Sequence, residues 1–339
     1  MQRRRFVQSL FTLGAATPVI AAIENIRDGV DDTIGVDEGL HVDDWEEKVA
    51  EYGHTYRFLP PHRLMPELAA DLVAVQQIIA HRAGDRLMPS WYRVTGVLAA
   101  LMAKTLANLE QPRPARHWWT TARHATMKSG DTDLGLWINA ERLTYGLYER
   151  RPAFMLLQQA DDAIAQAPGS PSKGLIHTRA IRAQLLAVEG RTEDAAKEFR
   201  SCEEMFQHLP ASVTGEARSI YGWPEGRLRY VEAWVAAFNG DSNRLDTAVT
   251  QALPTMESRV RTQLELLRAS GHVRAGDATE GVRHAHTVYE AQPVEQRTAF
   301  VTSLAKQVIE SVPEPRRAEP TVAAYRELMR SGSARLAIT

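Results

Sequence analysis

Residues 174–210, GLIHTRAIRAQLLAVEGRTEDAAKEFRSCEEMFQHLP, decide the fold. Ala183 and Leu186 fall on the inner face of a first helix, and Gly190-Arg191-Thr192 break it. Ala195, Phe199 and Cys202 then recur at helical spacing on a second helix. Small side chains at Ala183 and Ala195 let two antiparallel helices approach closely, while Phe199 fills the seam toward the next pair. A hairpin of this kind cannot hide all of its apolar surface alone, so it is stable only when stacked on neighbours.

Outward from that unit the pattern recurs. Segments 90–109 and 113–127 place Ala103, Leu106, Ala115, Trp119 and Ala122 where 174–210 has Ala183, Leu186, Ala195, Phe199 and Cys202. A second pair, 133–148 and 153–167, ends at Pro168 and carries Ala160 in its seam. A fourth joins 225–238 to 243–253 across Gly240-Asp241, and a fifth joins 259–274 to 279–291 across Gly276-Asp277, with Ala269, Gly281 and Ala285 as small positions. Helices at 298–311 and 321–331 cap the array. Turns at Glu110, Arg151, Gly190, Gly240 and Gly276 are spaced by 41, 39, 50 and 36 residues. These hairpins resemble tetratricopeptide (TPR) repeats, whose period is about 34 residues. The expectation is an all-α fold, a TPR-like right-handed α-solenoid of degenerate helical hairpins. The longest insertion, 211–224, carries Tyr221-Gly222-Trp223-Pro224, which reads either as a rigid lid or as an anchor filling a gap.

Before the repeats, Trp45, Val49, Tyr52 and Tyr56 lie on one side of a helix that Asp43 or Asp44 caps and Pro60-Pro61 stops. A further helix, 65–81, carries Leu68, Leu72, Val75 and Ile79 as a buried stripe. Upstream, Arg3-Arg4-Arg5-Phe6-Val7 precedes a mildly apolar run at 9–23 and resembles a twin-arginine (Tat) export signal. Polar residues dilute that run, so an amphipathic connector is the alternative reading. Residues 25–39 are rich in Asp and Gly and read as an acidic linker without the ligand spacing of a calcium loop. The organisation expected is a basic segment and acidic linker over 1–41, then a helical-repeat domain over 42–339.

Composition narrows the function. In 339 residues, 44% hydrophobic and 24% charged side chains suit a packed core, and a net charge of −2 leaves no global basic footprint for nucleic acid. The single Cys202 precludes an intrachain disulfide and a cysteine-based zinc site. His284 and His286 diverge on their helix, and His117 and His124 bring no third ligand at a metal spacing, so no metal or other cofactor is expected. With neither a phosphate-binding glycine loop nor a nucleophile elbow, the chain reads as a non-enzyme.

A family resemblance sharpens this. Val42-Asp43-Asp44-Trp45-Glu46, Glu51-Tyr52-Gly53 with Tyr56, Trp118-Trp119 with Ala122-Arg123, and Arg179 with Ala183 occur in order. They are followed by Gly222-Trp223-Pro224-Glu225, Gly276-Asp277 with Gly281, and Val312-Pro313. From residue 42 onward the chain resembles the TPR-like C-terminal region of actinobacterial (Streptomyces-type) Cro/Xre helix-turn-helix transcriptional regulators. In that family an arginine-rich segment also stands between the two domains without implying export. The sequence begins at that connector, so the expectation is a chain lacking the helix-turn-helix domain and making no direct DNA contact.

The resemblance implies a ligand groove lined by the first helix of each hairpin. Transferred to this register, it nominates Lys104, Asn108, Glu141, Tyr145, Tyr148, His177, Gln184, Arg227, Tyr230, Trp234 and Arg274. Arginines among aromatics suit a peptide, whose carboxylates need charged donors and whose apolar side chains need a platform. The competing reading packs Tyr145, Tyr230 and Trp234 between repeats. The function expected is a cytoplasmic, non-catalytic sensor or protein-interaction domain. It would take a peptide, a small signalling molecule or a regulatory protein, with homodimerisation open and no membrane span. A Tat-exported interaction scaffold is the alternative.

Overall fold

The computed structural model describes residues 38–336 apart from 82, 83 and 85; the export-like segment and nearly all of the acidic linker lie outside the described residues. The fold is all-α. Among the described residues there are fifteen α-helices and no strand. The described residues form two compact units, divided between residues 138 and 139.

In the first unit, α1 (Glu38–Thr55) and α2 (Pro61–His81) precede the hairpin of α3 (Met88–Asn108) and α4 (Pro112–Ser129), and α5 (Thr132–Tyr148) begins. Trp45, Val49, Tyr52 and Tyr56 are all buried, as their spacing predicts. Helix α2 starts a turn earlier than expected, because Pro61 sits at its first position, where a missing N–H costs nothing. A buried acid holds α1 to α2. Asp71, 4% exposed, accepts from Lys48 Nζ at 2.7 Å and from the Tyr52 hydroxyl at 2.6 Å.

In the second unit, α5 ends and α6 (Ala153–Ala165) completes its hairpin. Three more hairpins follow: α7 (Lys173–Val188) with α8 (Thr192–Phe206), α10 (Glu225–Asn239) with α11 (Ser242–Ala252), and α12 (Ser258–Arg274) with α13 (Ala278–Ala291). A single turn, α9 (Ala211–Thr214), lies in the insertion, and α14 (Ala299–Ser311) and α15 (Pro320–Leu336) close the chain. Each first helix packs on its own partner and on the next first helix, running α7 to α10 to α12 to α14. Helices α8 and α11 also touch the first helix that follows. These are stacked hairpins.

The seam residues behave as predicted. Ala183, Leu186, Ala195 and Cys202 are fully buried and Phe199 nearly so. Burial pushes the Cys202 thiol far above its ordinary pKa. Gly281 shows why size matters at a seam, since a Cβ there would lie 2.7 Å from the Ala269 carbonyl oxygen. One charge joins this apolar packing. Glu198 of α8 accepts from Arg179 at 2.9 Å and Arg182 at 2.7 Å, and Arg182 also reaches Asp161 of α6.

All five hairpins turn the same way. One or two residues past the end of the first helix the backbone turns left-handed, at Glu110 (φ 58°), Arg150 (58°), Gly190 (74°), Gly240 (75°) and Gly276 (106°). In each, the next residue's N–H donates back five positions: Gln111 to Leu106, Arg151 to Gly146, Arg191 to Leu186, Asp241 to Ala236 and Asp277 to His272. This is the Schellman closure. The second turn centres on Arg150, one residue before the expected Arg151. No glycine marks it, so the sequence leaves its register loose.

Candidate functional site

The nominated side chains divide between the two units. Lys104 and Asn108 lie on α3 in the first unit. Lys104 is buried, its ammonium 5.0 Å from the centre of the Tyr56 ring and 5.6 Å from that of Trp137, and Asn108 Nδ2 donates to the Tyr56 hydroxyl at 2.8 Å.

The other nine lie in the second unit. His177 of α7 stands 4.0 Å from the Glu141 carboxylate of α5 and 5.2 Å from the ring centre of Trp223. The Arg227 guanidinium lies 5.5 Å from the same ring and donates to the Ile220 carbonyl at 3.0 Å. Trp223 is 3% exposed and its backbone N–H donates to the Val213 carbonyl at 2.8 Å, so the insertion anchors itself through this indole. A Cβ at residue 222 would fall 1.8 Å from the Glu216 carbonyl oxygen, which is why glycine precedes that tryptophan. Gln184 is buried on α7, two helical turns from His177 on the same face.

The remaining residues build an aromatic ladder. Tyr148 stacks on Phe300 of α14 at 3.7 Å, Tyr145 approaches the same ring at 4.5 Å, and Trp234 meets Tyr148 edge-on at 5.6 Å. The Tyr148 and Tyr230 hydroxyls share a 2.6 Å hydrogen bond, and Tyr230 donates onward to Gln263 Oε1 at 3.2 Å, so Tyr148 is the donor of the first link. Burial raises the pKa of both phenols well above the ordinary tyrosine value. The ladder continues as Trp234 stacks on Phe238 at 5.3 Å.

At its end the Arg274 guanidinium lies 4.2 Å from the Phe238 ring centre, and its Nε donates to Ser311 Oγ at 3.2 Å. Arg274 is exposed as a residue, yet packing of its head against the ring removes enough water to lower its pKa. No carboxylate of the described residues pairs with it. The repeat register does not point to Phe238, Phe300, Gln263 or Ser311. Only Phe238, four residues after Trp234 on one helix face, was within reach of sequence spacing.

A concavity lies wholly in the first unit. Helices α2 and α4 both pack on α3, and between them a trough of about 490 Å³ runs above it. The wall from α2 follows the stripe of Met65, Ala69, Leu72, Gln76 and Ile79, flanked by Val73 and Val75. Thr95, Met102 and Leu106 form the floor, and Pro114, Trp118 and Thr121 the far wall. Leu72 and Ile79, expected in the core with Leu68 and Val75, are half-buried here, whereas Leu64, Leu68, Asp71, Val75 and Ile78 make the inner face of α2. Trp119 fills the seam and Trp118 lines the trough, as two adjacent helical positions must diverge.

No described helix is long and apolar enough to cross a membrane. No family model matches the chain, and no curated protein or solved structure matches it.

Proposed function

We propose that this protein is a non-catalytic, TPR-like sensor or interaction domain that recognises an acidic peptide or small signalling molecule. The observation that supports it is Arg274, a cation held against an aromatic ring with one serine hydroxyl and no carboxylate of the described residues beside it. A ligand carboxylate would complete it with charge-assisted hydrogen bonds, and the neighbouring Trp234–Phe238 stack offers an apolar platform. Stacked hairpins suit signalling, because small rotations between neighbours accumulate along an array. In this reading the chain works in the cytoplasm as a relative of the Cro/Xre-type regulators, acting on a regulatory protein or a second copy of itself and not on DNA. The arginine motif at Arg3-Arg4-Arg5 favours export as a second reading, and N-terminal sequencing of the protein from cells and medium separates the two.

The test is a fluorescence titration with a tetrapeptide library bearing free C-terminal carboxylates, compared with the same library amidated. Free acids are expected to change tryptophan emission and amides not. Arg274→Ala is expected to weaken the free acids about tenfold, or about 1.4 kcal/mol, close to the low end for a hydrogen bond to a charged group. Equal binding of acids and amides, or an unaffected Arg274→Ala, would refute the proposal.

A further inference from the structure

We propose that the trough of the first unit is a binding site for one uncharged, lipid-like small molecule: a flexible hydrocarbon chain bearing a single neutral polar head. Its volume, about 490 Å³, falls within the range of roughly 300–1,000 Å³ in which small-molecule sites lie.

The wall chooses the chemistry. None of the lining residues is charged, so a carboxylate or ammonium entering it would lose hydration without gaining a counter-charge. The lining hydroxyls have already given up their protons to hydrogen bonds. Thr95 donates to the Trp91 carbonyl at 2.7 Å and Thr121 to the His117 carbonyl at 3.3 Å, both back-bonding within their own helices. That leaves the exposed amide of Gln76 at the rim as the one lining side chain able both to donate and to accept, a place for one neutral head group.

An extended peptide is a poor occupant for the same reason. Its backbone N–H and C=O groups would be buried against hydrocarbon with almost nothing to bond. Met65 and Met102 supply unbranched, polarisable surface that conforms to a flexible chain, and Trp118 gives it a broad flat wall. The charge match is of neutral with neutral. The site is independent of the Arg274 cluster, which selects the opposite kind of ligand.

Displacement of the uncharged dye Nile red by straight-chain 1-alkanols, from hexanol to tetradecanol, tests the proposal on the full chain. One alkanol per chain is expected. Its dissociation constant should fall about three- to fourfold per added methylene, the transfer free energy of a buried CH₂, until the trough is full and the series levels off. At pH 8 the alkanoate of equal length should bind at least tenfold more weakly. Ala69→Phe, which fills the trough, should abolish displacement. Should that variant not fold, Thr121→Glu at the exposed rim is expected to weaken alkanols while leaving the circular dichroism unchanged.

Alkanoates binding as well as alkanols, no chain-length dependence, or variants that bind like the parent would each overturn the assignment. So would a concentration-dependent dimer in sedimentation that Ala69→Phe dissolves, because a second copy would then be what covers the trough.

Discussion

Replacing Gly190 by alanine, and separately Glu110 by glycine, measures what the shared hairpin turn costs. Gly190 sits at φ 74°, and a Cβ added there meets no atom within 4 Å, so any penalty is intrinsic to the backbone. An L-residue in the left-handed region costs about 1–2 kcal/mol. Alanine returns about 0.4–1 kcal/mol by narrowing the unfolded ensemble. Gly190→Ala is therefore expected to destabilise the second unit by about 1 kcal/mol. Glu110 occupies the same geometry at φ 58° with an exposed side chain, so Glu110→Gly runs the balance in reverse and is expected to stabilise the first unit by about 0.5–1 kcal/mol. Urea denaturation followed by far-ultraviolet circular dichroism reads both. The midpoints should move in opposite directions with the slope unchanged, since neither substitution alters the surface exposed on unfolding. A Gly190→Ala protein as stable as its parent, or a Glu110→Gly protein less stable, would refute the claim that these turns are equivalent.

Three further outcomes follow from the packing. Asp71→Ala leaves the buried Tyr52 hydroxyl and Lys48 without their acceptor and is expected to cost about 3 kcal/mol, the low end for breaking a buried pair, because Lys48 is partly exposed; chemical denaturation measures it, and a loss below about 1 kcal/mol would contradict the geometry. Burial alone would raise the pKa of Glu265, but the His284 hydrogen bond at 2.8 Å and the nearby Arg268 charge outweigh it and hold the carboxyl below its usual range. A depressed folded-state pKa stabilises above the unfolded value, roughly 4.3, and the gain is lost as pH falls through the folded value. The melting-temperature gap between the parent and Glu265→Gln should accordingly shrink between pH 6 and pH 3, and a gap that widens would reverse the sign. Finally, a double-mutant cycle on Tyr148→Leu and Phe300→Leu is expected to show about 0.5–1.5 kcal/mol of coupling, the value for an aromatic pair, whereas additive effects would mean that the stack contributes no more than its area.

The helices were legible because their ends are chemically marked. Gly190, Gly240 and Gly276 announce left-handed closures, and the predicted spans from residue 90 onward begin within about two residues of the observed ones. Glu110 and Arg150 adopt the same backbone without a glycine to advertise it, and at the second of these turns the sequence pattern points one residue late, to Arg151. Periodicity also says which α2 residues are apolar, not which stripe finds a partner. Two adjacent stripes, one through Leu68 and Val75 and one through Leu72 and Ile79, look alike in sequence, but only the first is covered. Phe300 marks the remaining limit. It touches Tyr145 and Tyr148 across about 150 residues, and no local spacing rule reaches that far.

That long-range stack changes how the second unit should come apart. Besides Phe300 on Tyr148, Ser303 donates to the Tyr148 carbonyl at 3.1 Å and Arg150 pairs with Glu310, so a late helix is fastened to the earliest one in its unit. A simple row of repeats can fray from its tail one hairpin at a time. Here α14 cannot peel away without also undoing the end of α5, and hydrogen exchange in 299–311 should rise and fall with that in 140–148. The clasp turns a file of neighbours into a loop, in which a weakness anywhere is felt at both ends.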